Sequence, residues 1–142
     1  MNIAVDFDGT IVTHEYPNIG RERPFAISTL KMLQKEGHNL VLWTVREDEL
    51  LQEAIDWCKK RGLEFYAVNK DYPEESLEAD DFSRKLKVDI WIDDRNVGGL
   101  PSWGEIYQII HNEKTYEEVL ADNQKGLDGY DVPKRKHWWK FW

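Results

Sequence analysis

The chain has 142 residues, 41% hydrophobic and 32% charged, with a net charge of −8; that is enough for one sizeable core, in one domain or at most two. No apolar run reaches the ~18 residues of a membrane helix, the N-terminus enters a short apolar strand without a basic leader, and the acidic balance argues against a general polyanion binder. The single cysteine, Cys58, excludes an internal disulfide and a multi-cysteine zinc site and fits a reducing cytoplasm, the compartment expected for the chain.

The first element is the apolar run Ile3, Ala4, Val5, which meets Asp6, Asp8, Gly9 and Thr10: a buried strand running into a tight loop that carries two carboxylates. Residues 11 to 23 are polar and irregular. Pro24 suits a first helical turn, Ala26, Ile27, Leu30 and Leu33 give the helix its apolar stripe, and Gly37 stops it. His38 to Trp43 predicts a second strand ending at Thr44, and Glu47 to Arg61 a second helix with Leu51, Ala54, Ile55 and Cys58 inward, stopped by Gly62. A third strand is expected over Phe65 to Val68, a loop over the acidic, Pro73-containing stretch 69 to 83, and a fourth strand over Val88 to Ile92, closing on Asp93 and Asp94. A Gly- and Pro-bearing loop then leads to a helix from about Ser102 to His111, with another short one over Tyr116 to Leu120.

Strands alternating with helical crossovers predict an α/β fold, a Rossmann-like doubly wound parallel sheet covered on both faces. Ligands of such sheets bind beyond the carboxyl ends of the strands, where strand order reverses. Asp6, Asp8, Thr44, Asp93 and Asp94 all fall at those ends. Four converging carboxylates repel unless a counter-charge joins them, and hard oxygen donors without a Cys or His cluster point to Mg²⁺. Mg²⁺ in turn suggests a phosphorylated substrate. Thr44 offers a hydroxyl, the following helix, expected to start with Arg46 and Glu47, aims N–H groups at an anion, and Lys85 supplies a cation.

These residues carry a resemblance to the haloacid dehalogenase (HAD) superfamily of aspartyl phosphotransferases. DFDGT, Asp6 to Thr10, resembles its first motif; Thr44 in LWTVR its second; Lys85 its third, with Lys87 a rival; and Ile92, Asp93, Asp94 its fourth, over roughly residues 1 to 110. The segment DDRNVGGLPSW is also similar to small stand-alone members related to polynucleotide-phosphatase-like and capsule-locus proteins. The resemblance implies that Asp6 is the nucleophile that becomes phosphorylated and that Asp8 is the acid and base. It places Mg²⁺ on Asp6, the backbone carbonyl of Asp8 and Asp94, with Asp93 either supporting these ligands from behind or binding the ion directly. It implies that Gly9, Thr10, Thr44, Val45, Arg46 and Lys85 contact the substrate. The second carboxylate, Asp8, favours phosphatase over dehalogenase chemistry. Gaps of about thirteen and fifteen residues where relatives insert caps leave a core without a large cap domain, its site either open to larger phosphorylated substrates or closed by the flap at 11 to 23, the tail or another subunit. His14, Glu15, Tyr16 and Arg21 in that flap are further candidates for substrate contact.

Plainer roles stand beside these. Thr44 also suits a helix cap, and Arg46 is as well suited to pairing with a neighbouring acid as to binding phosphate. His38, His111 and Cys58 read as structural. The expected organisation is a catalytic core over 1–125 and a basic and aromatic tail over 126–142. The tail's KRKHWWKFW has the composition of a single-stranded nucleic-acid binder, but docking of its tryptophans on this or a second subunit, giving a homo-oligomer, is favoured in an acidic chain. The expected activity is thus Mg²⁺-dependent phosphate monoester hydrolysis; the alternative is a HAD-fold binding or regulatory module with little or no turnover. A receiver-like phosphorylatable switch ranks last, because Val68 leads into Asn69 and Lys70 instead of an acceptor aspartate.

Overall fold

The computed structural model describes residues 1–78 and 83–127, with side chains as far as residue 124. In chain order the elements are β1 (Asn2–Val5), α1 (Ala26–Lys35), β2 (Asn39–Leu42), α2 (Asp48–Lys60), β3 (Ala67–Val68), β4 (Ile90–Ile92), α3 (Trp103–His111) and α4 (Tyr116–Leu127). The chain divides into two compact units, Met1–Gly104 and a second beginning at Glu105.

In the first unit four parallel strands lie in the order β3-β2-β1-β4, with Val5 opposite Leu42 on one side and Ile92 on the other. This is the parallel α/β sheet expected from the alternation of strands and helices, and its order reverses between β1 and β4. The central strands β1 and β2 bury Ile3, Ala4, Val5, Leu40, Val41 and Leu42 almost completely. A strand covered on both faces must be apolar at successive positions, which is why these two runs were legible. Alternation sends Ala4, Val41 and Ala67 to one face, where they pack with Leu86 under Trp43 and Trp91. Those two indoles meet edge to face with centroids 5.5 Å apart.

Several ends differ from expectation. β3 is confined to Ala67–Val68 and β4 to Ile90–Ile92. α1 starts after Phe25, whose φ is 66°, and Glu22 Oε1 accepts the Ile27 N–H at 3.0 Å in place of a cap from the preceding residue. α2 starts at Asp48, so Arg46 and Glu47 precede the helix and acidic side chains fill its first turn.

In the second unit α4 runs on past Leu120 to Leu127. The Thr115 N–H donates to Glu118 Oε2 at 2.8 Å and the Glu118 N–H donates back to Thr115 Oγ1 at 3.2 Å, a reciprocal capping box, and Lys114 pairs with Asp122. Local capping therefore supports a helix beyond the point where the apolar periodicity stops. The basic and aromatic cluster of the tail lies outside the described residues. Among the described residues no helix is long and apolar enough to cross a membrane.

Candidate functional site

The strand ladder continues one step beyond β1, where the Asp6 N–H donates to Ile92 O and the Trp43 N–H donates to Val5 O, both at 2.9 Å. This fixes the tips of β1, β2 and β4 side by side. Asp6, Asp93 and Asp94 consequently converge, each offering a carboxylate oxygen within 4.8 Å of the others.

The loop after Asp6 is wound tightly because Phe7 O accepts the N–H groups of Thr10, Ile11 and Val12 at 3.2, 3.0 and 3.3 Å. Gly9 has φ +85°, and a Cβ there would lie 2.2 Å from Asp94 Oδ2, so only glycine lets the loop pass this close. Its N–H donates to Val12 O at 2.8 Å. Thr10 is fully buried; its hydroxyl donates to Asp6 Oδ2 at 3.1 Å and accepts the Asp94 N–H at 3.0 Å, while its carbonyl accepts the Trp103 indole N–H at 3.1 Å. Gly9 and Thr10, expected against the substrate, are instead committed to building the acidic cluster.

The cluster carries its own electrostatic signature. Asp6 is pushed up from 3.8 to about 7, first by burial, then by the charge of Asp93 and a hydrogen bond with Asp94, with Thr10 opposing. Asp94 Oδ1 is buried and accepts no hydrogen bond. An oxygen left bare beside a carboxyl that resists ionisation fits a missing positive partner, and three hard donors at this separation could hold a metal ion.

Asp8 and Arg46 form a buried pair. Arg46 is 0% exposed and donates from Nε to Asp8 Oδ2 at 2.7 Å and from Nη2 to Asp8 Oδ1 at 2.8 Å. Nη2 also donates to Asn18 O at 3.0 Å, and Nη1 to Pro17 O at 3.2 Å and Leu50 O at 3.4 Å. The guanidinium lies between the rings of Phe7 and Tyr16, at 5.2 and 5.3 Å. Hydrogen bonding to Asp8 holds Arg46 more firmly protonated, against the opposing effect of burial. All five donors of the fork are spent inside the protein, so none remains for a phosphate. This corrects the expectation that Arg46 binds substrate and upholds its plainer role as the partner of an acid.

Thr44 follows β2; its hydroxyl accepts the Arg46 N–H at 3.1 Å, ahead of α2 and not at its first turn. Val45 is 84% exposed beside it. Lys85 and Lys87 are both exposed, and among the described residues Lys85 forms no ion pair with Asp6, Asp93 or Asp94. Asp93 Oδ1 accepts the Arg95 N–H at 2.9 Å. In the flap His14, Glu15, Tyr16 and Arg21 are exposed. Asn69 was missed: its Oδ1 accepts the Thr44 N–H at 2.9 Å from a backbone φ of 54°. Its signal was an asparagine directly after a strand, the residue type that tolerates that conformation best after glycine.

No protein-family model matches the chain, and no curated protein matches it. Among solved structures, a conserved protein coded by a locus from Bacteroides thetaiotaomicron is similar, with 66% identity and a TM-score of 0.80 over 84% of this chain and 96% of that one. At that identity and coverage, the chain belongs to the same family as this conserved Bacteroides protein.

Proposed function

We propose that the chain is a Mg²⁺-dependent phosphatase of the haloacid dehalogenase type, a Rossmann-like core without a large cap that hydrolyses a phosphate monoester through a phosphorylated Asp6. The observation that carries this reading is the convergence of Asp6, Asp93 and Asp94 within 4.8 Å, with Asp94 Oδ1 left bare. Asp6, Asp93, Asp94 and the Asp8 carbonyl would hold the ion. When bound, Mg²⁺ neutralises the cluster and draws charge from the phosphoryl oxygens.

Thr10 fixes the Asp6 carboxylate for attack on phosphorus. A bond forms from Asp6 to phosphorus as the bond to the substrate oxygen breaks, and Asp8, which must leave the Arg46 fork and enter the cycle protonated, delivers that proton to the departing oxygen. Asp8 then takes a proton from water, the water oxygen attacks phosphorus, and cleavage of the Asp6 ester releases inorganic phosphate. The Thr44 hydroxyl, which uses only acceptor capacity on the Arg46 N–H, retains its proton for a phosphoryl oxygen. Lys85 is exposed and would have to turn toward Asp6 to complete the anion site.

A second reading, a metal-binding module without turnover, is favoured by the commitment of both Asp8 oxygens to Arg46 and by the exposed Lys85. Hydrolysis of p-nitrophenyl phosphate separates the two. The phosphatase reading expects turnover that EDTA removes and Asp6→Asn abolishes; inactivity on a broad panel of phosphates, with Mg²⁺ still bound, selects the module.

A further inference from the structure

A cavity of about 520 Å³ opens between the flap and the start of α2, lined by Tyr16, Val45, Glu47, Asp48, Glu49 and Leu50. It is a shallow cleft, wide open to solvent, with room for a small molecule. Val45 stands between Thr44 and Arg46 in the chain, and the Tyr16 ring rests on the guanidinium that grips Asp8. The cavity therefore adjoins the ring that covers the Asp8–Arg46 pair, while Asp6, Asp93 and Asp94 are not part of its lining. Two apolar walls face solvent there, Tyr16 at 45% exposure and Val45 at 84%. The remaining polar lining is three carboxylates with no lysine or arginine among them, and Arg46, which lies between Val45 and Glu47 in the chain, is already paired.

Resting on the phosphatase reading above, we propose that this cavity receives the alcohol portion of the substrate and that its walls set specificity. Tyr16 and Val45 clasp an uncharged group with an apolar face, while Glu47, Asp48 and Glu49 turn away any substrate with a second anionic group near the reacting phosphate. The substrate class is thus the monophosphates of neutral alcohols and phenols; nucleoside di- and triphosphates, bisphosphates and nucleic-acid ends are excluded. Three unit charges facing a fourth across such a cavity, at near-surface dielectric and physiological salt, give a discrimination of about tenfold or more.

The test compares kcat/KM of the full chain with Mg²⁺ for 4-methylphenyl phosphate and 4-(carboxymethyl)phenyl phosphate, which differ in charge but little in leaving ability. The neutral ester is expected to be favoured about tenfold, and Glu47→Gln/Glu49→Gln to reduce the preference to about twofold. Val45→Asp should widen it. Tyr16→Ala should raise KM for the neutral ester about tenfold, with Tyr16→Phe restoring it and circular dichroism reporting that both variants fold. Turnover without a charge preference, a preference indifferent to Glu47 and Glu49, or faster hydrolysis of a 5′-phosphorylated oligonucleotide overturns this inference alone. No turnover of either ester or of p-nitrophenyl phosphate removes the phosphatase reading and this inference with it.

Discussion

Arg46 turns the edge of its guanidinium onto both carboxylate oxygens of Asp8, at 2.7 and 2.8 Å, in a place where Arg46 is wholly buried and Asp8 only 8% exposed. Removing one partner strands the other's charge away from water. Arg46→Met is expected to cost about 3–5 kcal/mol in urea denaturation, and Arg46→Lys to recover only part of this because it restores charge without the fork. The double variant Arg46→Met/Asp8→Asn should be more stable than Arg46→Met alone, with a coupling of about 1–3 kcal/mol. Additive losses would mean that the pair contributes nothing as a pair.

Asp6 should make metal binding pH-dependent. Its folded value of about 7 lies above its ordinary 3.8, so the folded chain holds the extra proton between those values. The stability this proton confers is fully present below pH 3.8 and is lost as pH rises through 7. A divalent cation replaces the proton, so Mg²⁺ is expected to raise Tm more at pH 8 than at pH 5.5. Equal increments at both pH values would place the ion elsewhere than on Asp6, Asp93 and Asp94.

Gly9→Ala tests the close passage of the loop. A left-handed φ and a Cβ 2.2 Å from Asp94 Oδ2 together predict a loss of about 2 kcal/mol or more. The Mg²⁺-induced rise in Tm should shrink as well, since the displaced group is one of the three carboxylates.

Asn69 can be dissected by two substitutions. Asn69→Gly keeps the backbone conformation and loses only the acceptor of the Thr44 N–H, an expected cost of about 1 kcal/mol. Asn69→Ala adds the strain of φ 54° and should cost about 1 kcal/mol more. If alanine is no worse than glycine in denaturation, the backbone there is not under the constraint described.

The sheet was readable because Ile3–Val5 and Leu40–Leu42 are continuous apolar runs ending in polar residues, and burial on both faces demands that pattern. The gathering of Asp6, Asp93 and Asp94 followed from the same reading, since parallel strands put their carboxyl ends together. The task of Arg46 was open in the sequence. An arginine two residues past a strand satisfies a phosphate and a carboxylate equally well, and only folding of the flap brings Pro17 O and Asn18 O to its remaining donors. Thr10 escaped for a related reason: its hydroxyl is used up by Asp94, 84 positions away along the chain. The start of α2 was misplaced because its first turn lacks a capping side chain, so no residue marked the boundary.

Arg46 grips the flap through the main-chain carbonyls of Pro17 and Asn18. Every amino acid carries such a carbonyl, so the fastening holds the path of the main chain and makes no use of the side chains of the neighbouring His14 and Glu15. Substitutions at His14 and Glu15 are thus expected to leave the anchorage beneath unchanged.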